Sequence, residues 1–371
     1  MDSGVLTAEA PFSLFLQALS KYFARLVLVG RLDPSAGRFP YELAGVELEP
    51  LDYYASGADF LAVTRALPAA LRRFWRLLAR VDIVWVLGPN PPHAFAFALL
   101  ALIRRRRVVL GVRQDLPRLV RHRHPRRPAV WLAAWILERL FRLLGRLVPV
   151  LVVGPELQRH YGRSAEVHTS LISLIEESDI ASPDEDQRDY DGPELRLLSV
   201  GRLEPEKNPL LMLDILRDAL KLDRRWRLEV CGDGSLMSAM ARHEEDLGIA
   251  DRVDMLGHVR HGQELRRLYR RSHALLHVSM TEGVPQVLLE AFAARLPVVA
   301  TAVGGVPEVL RGRGLLVASR DAPGAAGALQ RLVDDPALRA RNVESAAAYV
   351  AGHTLQGESA RAAAFLQGVT T

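Results

Sequence analysis

Short continuous apolar runs alternate with longer amphipathic ones along most of the chain, the pattern of buried parallel strands separated by helices. In the first half, strand candidates fall at 26–29, 83–87, 108–112 and 148–153, with an amphipathic stretch at 12–23 and an apolar helix at 94–103. In the second half the alternation tightens. Strands at 196–200, 227–231, 253–256, 274–278, 297–301 and 314–317 enclose helices at 208–219, 235–247, 262–271, 285–294 and 306–310. Six strands with intervening helices make a complete doubly wound unit. Between the halves, residues 176–193 are acidic, polar and aperiodic, and read as a linker. The expected class is α/β, with an N-terminal Rossmann-like domain over 1–175, a linker at 176–194 and a C-terminal Rossmann-like domain over 195–371. The last helices are candidates for packing back on the first domain. Ligands of doubly wound sheets bind at the carboxyl ends of the strands, so two such domains facing across a cleft would hold a ligand there.

The composition, 49% hydrophobic over 371 residues, supports two packed cores and excludes dominant disorder. The single Cys231 closes no intrachain disulfide. The opening Met1-Asp2-Ser3-Gly4 lacks the basic segment of a secretory signal, and the longest apolar runs, 94–103 and 129–137, fall short of the roughly 20 residues that span a bilayer. A cytoplasmic protein is expected. Net charge is +5 but uneven, since residues 101–150 carry 13 Arg against two acids while 151–190 carry three Arg against nine acids. Only Lys21, Lys207 and Lys221 among the 48 basic residues are lysines, so Arg richness by itself names no partner. The basic stretch, with Trp131 and Trp135, is either a solvated face over one buried helix or a face for peripheral contact with an anionic membrane that presents a lipid-linked acceptor. Sparse aromatics and the lack of a recognised motif argue against nucleic acid.

Three constellations carry candidate chemistry. Residues 201–208, GRLEPEKN, join the first strand of the second half to its helix. Gly201 permits close backbone approach, the helix start offers N–H groups, and Arg202 and Lys207 add two cations, a diphosphate site in outline. A lysine where arginine is otherwise the rule suggests that a compact ammonium is wanted. The alternative is an ordinary solvated turn. The second constellation, STEGVPQVLLE with its Met280 interposed, sets Glu282 on a loop and Glu290 eight residues later on the helix begun near Pro285. Each acid alone could balance a helix dipole or sit in solvent; together with the cations they suit sugar hydroxyls. Third are the turns at 232–234, 257–259 and 304–308, which leave five strand ends with glycine on one sheet edge.

In order and spacing, SVGRLEPEKNP, GDG, LGHV, TEGVPQVLLEAFA, LPVVAT and VGGVPE resemble the donor domain of retaining GT-B glycosyltransferases of the family 4 group, over about 197–318. The resemblance implies a nucleotide diphosphate sugar donor, UDP- or GDP-linked, with no further cofactor and no metal. It implies that Arg202 and Lys207 bind the diphosphate beside Gly201 and Gly232. Glu290 would take the ribose hydroxyls, Glu282 the transferred sugar, Val259 the base through its backbone, and Gly283, Val284, Pro285 and Gln286 sugar and phosphate through their amides. The acceptor would be a glycan, lipid-linked or small-molecule hydroxyl, and the setting cell-envelope or polysaccharide synthesis.

The chain departs from that pattern at Arg295, where the family usually has glycine, and at its start, where a strand and Gly-rich loop are expected to be missing or vestigial within 1–10. In the acceptor half, His93 after the strand 83–87, and Arg113 and Asp115 after 108–112, are the candidates; related enzymes commonly place His where Arg113 stands. His122 and His124 lie in a charge run that reads as solvated. Two alternatives share the scaffold, a sugar-nucleotide epimerase or phosphorylase and a catalytically silent nucleotide-sugar-binding protein.

Overall fold

A computed structural model describes residues 7–8, 12–32, 41–54, 59–89, 93–124, 126–186 and 188–369. The chain forms two compact units, one running to Leu174 and resuming at Leu355, the other spanning Ile175–Thr354.

In the first unit β1 (Thr7–Ala8) pairs antiparallel with β3 (Tyr41–Glu42), and β2 (Val27–Arg31) pairs in parallel with β4 (Glu47–Leu51). A parallel sheet follows with β5 (Ile83–Gly88), β6 (Arg107–Val112), β7 (Val150–Val153) and β8 (Val167–Ser170) in consecutive order. Its helices are α1 (Phe12–Ser20), α2 (Phe60–Leu77), α3 (Ala94–Ile103), α4 (Leu116–Arg123), α5 (Pro128–Leu144) and α6 (Pro155–Tyr161). Of the stretch 1–10, Thr7–Ala8 is described; the rest lies outside the described residues, as do 90–92 of the turn before His93 and the side chain of His122. Phe74 of α2 stacks on Phe97 of α3 at 4.1 Å, and Phe141 of α5 is fully buried in the same core.

The second unit holds a six-stranded sheet of β9 (Leu195–Val200), β10 (Trp226–Cys231), β11 (Val253–Gly257), β12 (Ala274–His277), β13 (Val298–Thr301) and β14 (Leu315–Val317). All neighbours are parallel and the spatial order is β11-β10-β9-β12-β13-β14, which reverses direction between β9 and β12. Helices α7 (Pro209–Leu222), α8 (Met237–Asp246), α9 (Gln263–Arg271), α10 (Gln286–Ala293), α11 (Val306–Leu310), α12 (Ala322–Asp334) and α13 (Pro336–Ala351) cover it. Alternate strand residues enter opposite cores. Leu197, Val230, Leu276 and Val299 join α7 and α12 on one face, while Leu198, Cys231, Leu275 and Val298 join α9, α10 and α13 on the other. Burial on both faces is why these strands are continuously apolar in sequence. The closing helix α14 (Leu355–Gly368) belongs to the first unit, where buried Glu358 accepts from Ser170 Oγ at 3.0 Å and from the Leu171 N–H at 3.2 Å.

The acidic stretch expected as a linker is part of the second unit, tied to it by the ion pairs Asp179–Arg266 and Glu185–Arg270 and by a buried arginine. Arg188, whose side chain is only 4% exposed, donates to the carbonyls of Tyr269 (3.2 Å), Ser272 (2.5 Å), Ala294 (2.8 Å) and Arg295 (3.1 Å). Those carbonyls end α9 and α10 and lack intrahelical partners, so a planar five-donor fork satisfies two helix ends together. Arg295 itself adopts the left-handed conformation expected of glycine (φ 55°) and accepts a strain of about 1 kcal/mol. Its side chain is buried and ion-paired with Glu344.

Candidate active site

Two loops meet at the carboxyl ends of β9 and β12, the neighbours between which the strand order reverses. Loop 201–208 leaves β9, makes a 3-10 turn at Pro205–Lys207 and enters α7 through Asn208, whose left-handed backbone (φ 51°) asparagine tolerates. Pro209 opens α7, where its missing N–H costs nothing. Loop 278–285 leaves β12 and reaches α10 through Pro285. The Met280 N–H donates to the Glu206 carbonyl at 2.8 Å and ties the loops together.

Across that join, Lys207 Nζ donates to Glu282 Oε1 at 2.5 Å. Ser279 Oγ donates to the same oxygen at 2.5 Å, and His277 Nε2 lies 3.1 Å from it. Thr301 of β13 donates to the Ser279 carbonyl at 2.8 Å and fixes the loop from a third strand. The Glu282 side chain is 9% exposed and that of Lys207 22%. Burial alone would push the Glu282 carboxyl up, but the Lys207 ammonium and His277 outweigh it and hold the group well below the usual carboxylate range. The result is a buried, ionised carboxylate beside a cation with residual access to solvent.

Glycine is required where these loops touch backbone to backbone. A Cβ on Gly304 (φ 55°) would lie 1.9 Å from the Glu282 carbonyl oxygen, and one on Gly232 would lie 1.8 Å from that of Gly201. Gly283, through its carbonyl, accepts from the Gly305 N–H at 3.1 Å, and the Gly232 N–H donates to Gly257 at 2.8 Å. The glycines at the strand ends thus hold neighbouring loops at contact distance.

The remaining donor-side residues divide into two groups. Arg202 is 57% exposed and reaches buried Glu206 at 3.2 Å, so its guanidinium stays at the surface of the Lys207 loop. Glu290, in α10, accepts from Tyr269 Oη at 2.6 Å, and its other oxygen lies 3.6 Å from His261 Nδ1. With Asp179, Arg266, Tyr269 and His261 it lines a small open recess. The Glu290 carboxylate beside it raises the His261 imidazole from its ordinary value despite burial. Val284 and Pro285 lead into α10, which Gln286 opens, and Val259, in the turn after β11, packs on the core beside α9 and α10. The structure therefore joins Lys207 directly to Glu282, links Arg202 to that loop through Glu206, and sets Glu290 in an adjoining group. Sequence reading missed His277, His261 and Tyr269 and gave Ser279 no role; a histidine closing the apolar run ALLH was the available signal for the first.

In the first unit, His93 is buried; its Nδ1 lies 3.2 Å from Tyr54 Oη and its ring 4.8 Å from that of Phe97. Arg113 is exposed, with its guanidinium 4.3 Å above the Phe12 ring. Asp115 is the N-cap of α4, accepting from the Arg118 N–H at 3.1 Å, which is the helix-capping role. Burial, with a smaller contribution from Arg31, pushes His93 down to about 4. Protonation of a histidine near 6.5 when unfolded then favours the unfolded state. This part of the stability is complete above about pH 6.5 and is lost as pH falls towards 4, on the order of 3 kcal/mol in all. Melting temperatures measured between pH 7.5 and 4, roughly this window, should fall less steeply for His93→Gln than for the parent; parallel curves would contradict it.

Residues 183–349 match the family described as glycosyl transferases group 1. The gpi3 subunit of phosphatidylinositol N-acetylglucosaminyltransferase from Schizosaccharomyces pombe is 34% identical over 138 residues, 37% of this chain and 29% of that protein. D-inositol 3-phosphate glycosyltransferase from Frankia alni is 38% identical over 167 residues, 42% of this chain and 41% of that protein. The matched regions thus span less than half of these curated relatives. Among solved structures, HepE from Anabaena in complex with UDP superposes with a TM-score of 0.74 at 16% identity, covering 98% of both chains. Sucrose-phosphate synthase from Thermosynechococcus elongatus superposes with a TM-score of 0.73 at 17% identity, covering 95% of this chain and 91% of that one. Residues 183–349 are thus similar to the group 1 glycosyl transferases, and the chain as a whole shares the GT-B fold of HepE and sucrose-phosphate synthase.

Proposed function

We propose that the protein is a retaining glycosyltransferase of the family 4 group. It transfers a hexose or N-acetylhexosamine from a nucleotide diphosphate sugar to a hydroxyl of a glycan, lipid-linked or small-molecule acceptor at the cytoplasmic face of a membrane. The observation that carries this reading is the ion pair between Lys207 and Glu282 at the switch point of the second unit's sheet, where ligands of such folds bind. A UDP-sugar is the first candidate donor, since HepE was solved with UDP and with UDP-glucose. Relatives named for phosphatidylinositol and for D-inositol 3-phosphate support both lipid-linked and small-molecule acceptors.

The residues divide the work by charge. Departure of the sugar leaves negative charge on the diphosphate; Lys207, Arg202 and the N–H groups at the start of α10 meet that charge in fixed positions, which lowers the barrier. Glu282, ionised in its buried setting, orients hydroxyls of the transferred sugar. Glu290 takes the ribose hydroxyls from its place beside Tyr269 and His261, and the backbone at Val259 meets the base. The sugar carbon loses its bond to the diphosphate oxygen and gains one to the acceptor oxygen on the same face, while the acceptor proton passes to the departing phosphate.

Incubation with UDP- and GDP-sugars, without acceptor, tests the reading. Slow release of free sugar and nucleotide diphosphate is expected. Interconverted sugar nucleotides, or phosphorolysis with added phosphate, would instead indicate an epimerase or phosphorylase, and binding without turnover a silent protein; either result overturns the proposal.

A further inference from the structure

We propose that the outward face of α5 docks the protein on an anionic lipid bilayer. Leu132, Trp135, Ile136 and Leu143 are 58%, 48%, 43% and 56% exposed, and Leu147 just beyond the helix is 75% exposed. At about 100° per residue the first four fall within about 60° of one line along the helix. Ala134 and Phe141 lie on the opposite side and are buried in the core. An apolar stripe this continuous is unusual on a solvated helix, where it would normally be turned inward.

The charges around the stripe identify its occupant. Arg126, Arg127, Arg139, Arg142 and Arg146 are all exposed, and the Arg139 guanidinium lies 4.9 Å above the Trp135 ring, inside the stripe. The helix has one acid, Glu138, which is turned to accept from Tyr161 Oη at 2.8 Å. The outward face therefore carries apolar groups and cations alone, the combination that inserts shallowly among anionic headgroups. Trp131, the other tryptophan of the helix, donates to the His124 carbonyl at 2.7 Å and serves the fold instead. A second copy of the chain suits the stripe poorly, because two-fold pairing would set five arginines against the same five.

This docking rests on the proposed glycosyl transfer only for its purpose, to bring a lipid-linked acceptor within reach. Flotation with vesicles of equimolar phosphatidylglycerol and phosphatidylcholine, compared with phosphatidylcholine alone, tests it. Binding to the anionic vesicles, weakened by salt and reduced at least about tenfold in Trp135→Ser/Leu143→Ser, is expected. All the substituted side chains are exposed, and an unchanged melting temperature and UDP-sugar hydrolysis rate show that the variant is intact. Equal binding to both vesicle types, equal binding by the variant, no binding at all, or a parent dimer that the variant turns into a monomer without vesicle binding would overturn the proposal. Vesicle binding without any sugar-nucleotide turnover would leave the docking standing and remove the transferase reading.

Discussion

Lys207→Met is expected to lower UDP-sugar turnover by about 10²- to 10³-fold, the usual cost of removing one fixed charge-stabilising donor from the leaving group. Methionine keeps the length and apolar stem but removes the ammonium that lies 2.5 Å from Glu282. Two consequences follow from the same deletion. In the proposed function charge developing on the diphosphate loses a cation, and the Glu282 carboxylate loses the group that most strongly opposes the effect of burial. The second should cost stability too, about 3 kcal/mol as an upper bound given the partial exposure of Lys207. Comparison of kcat/KM and Tm with Lys207→Arg separates the effects, since arginine restores charge without the compact geometry and should recover stability more fully than turnover.

Glu282→Gln is expected to lower turnover by about 10²-fold while leaving the affinity for the free nucleotide diphosphate within a few-fold of the parent. In the proposed function the carboxylate serves the transferred sugar, whereas the diphosphate depends on Lys207 and Arg202. A similar loss of affinity for diphosphate and for diphosphate sugar would contradict that division of roles. The variant also tests the acid limb of stability. Glu282 has a folded pKa held below its unfolded value, so its contribution is present above the ordinary carboxylate range near 4.3 and is lost as pH falls through that range towards the depressed value. Without an ionisable group at this position, the glutamine variant should lose less stability over that interval than the parent.

The second unit was legible because its strands are buried on both faces. Leu195–Val200, Val298–Thr301 and their neighbours appear in sequence as unbroken apolar runs, closed by glycines that the loop contacts at Gly232 and Gly304 require. Two elements of the first unit gave no such signal. Glu47–Leu51 is an acidic, proline-containing strand paired on one side only among the described residues, and Phe60–Leu77 contains Pro68 and scattered arginines that obscure its apolar face. The segment around Arg188 reads as a linker because its composition is that of a solvated segment; its buried guanidinium satisfies helix ends lying 81 to 107 residues further along the chain. Separation also explains the gaps at the candidate site. Motif order brought Lys207 and Glu282 to one sheet edge, but their contact spans 75 residues, and the approach of His277 depends on where the side chain at the end of a buried strand points.

The proposed function requires that Lys207 and Glu282 line a site for a sugar joined to a nucleotide diphosphate. Thermal unfolding of the parent and of Lys207→Met against a panel of UDP- and GDP-sugars measures this directly, because a ligand that binds only the folded state raises its apparent stability. The account requires a concentration-dependent rise in Tm for the parent with at least one member of the panel, and loss of most of that rise in the variant. No rise with any member, or the same rise in both proteins, would contradict it.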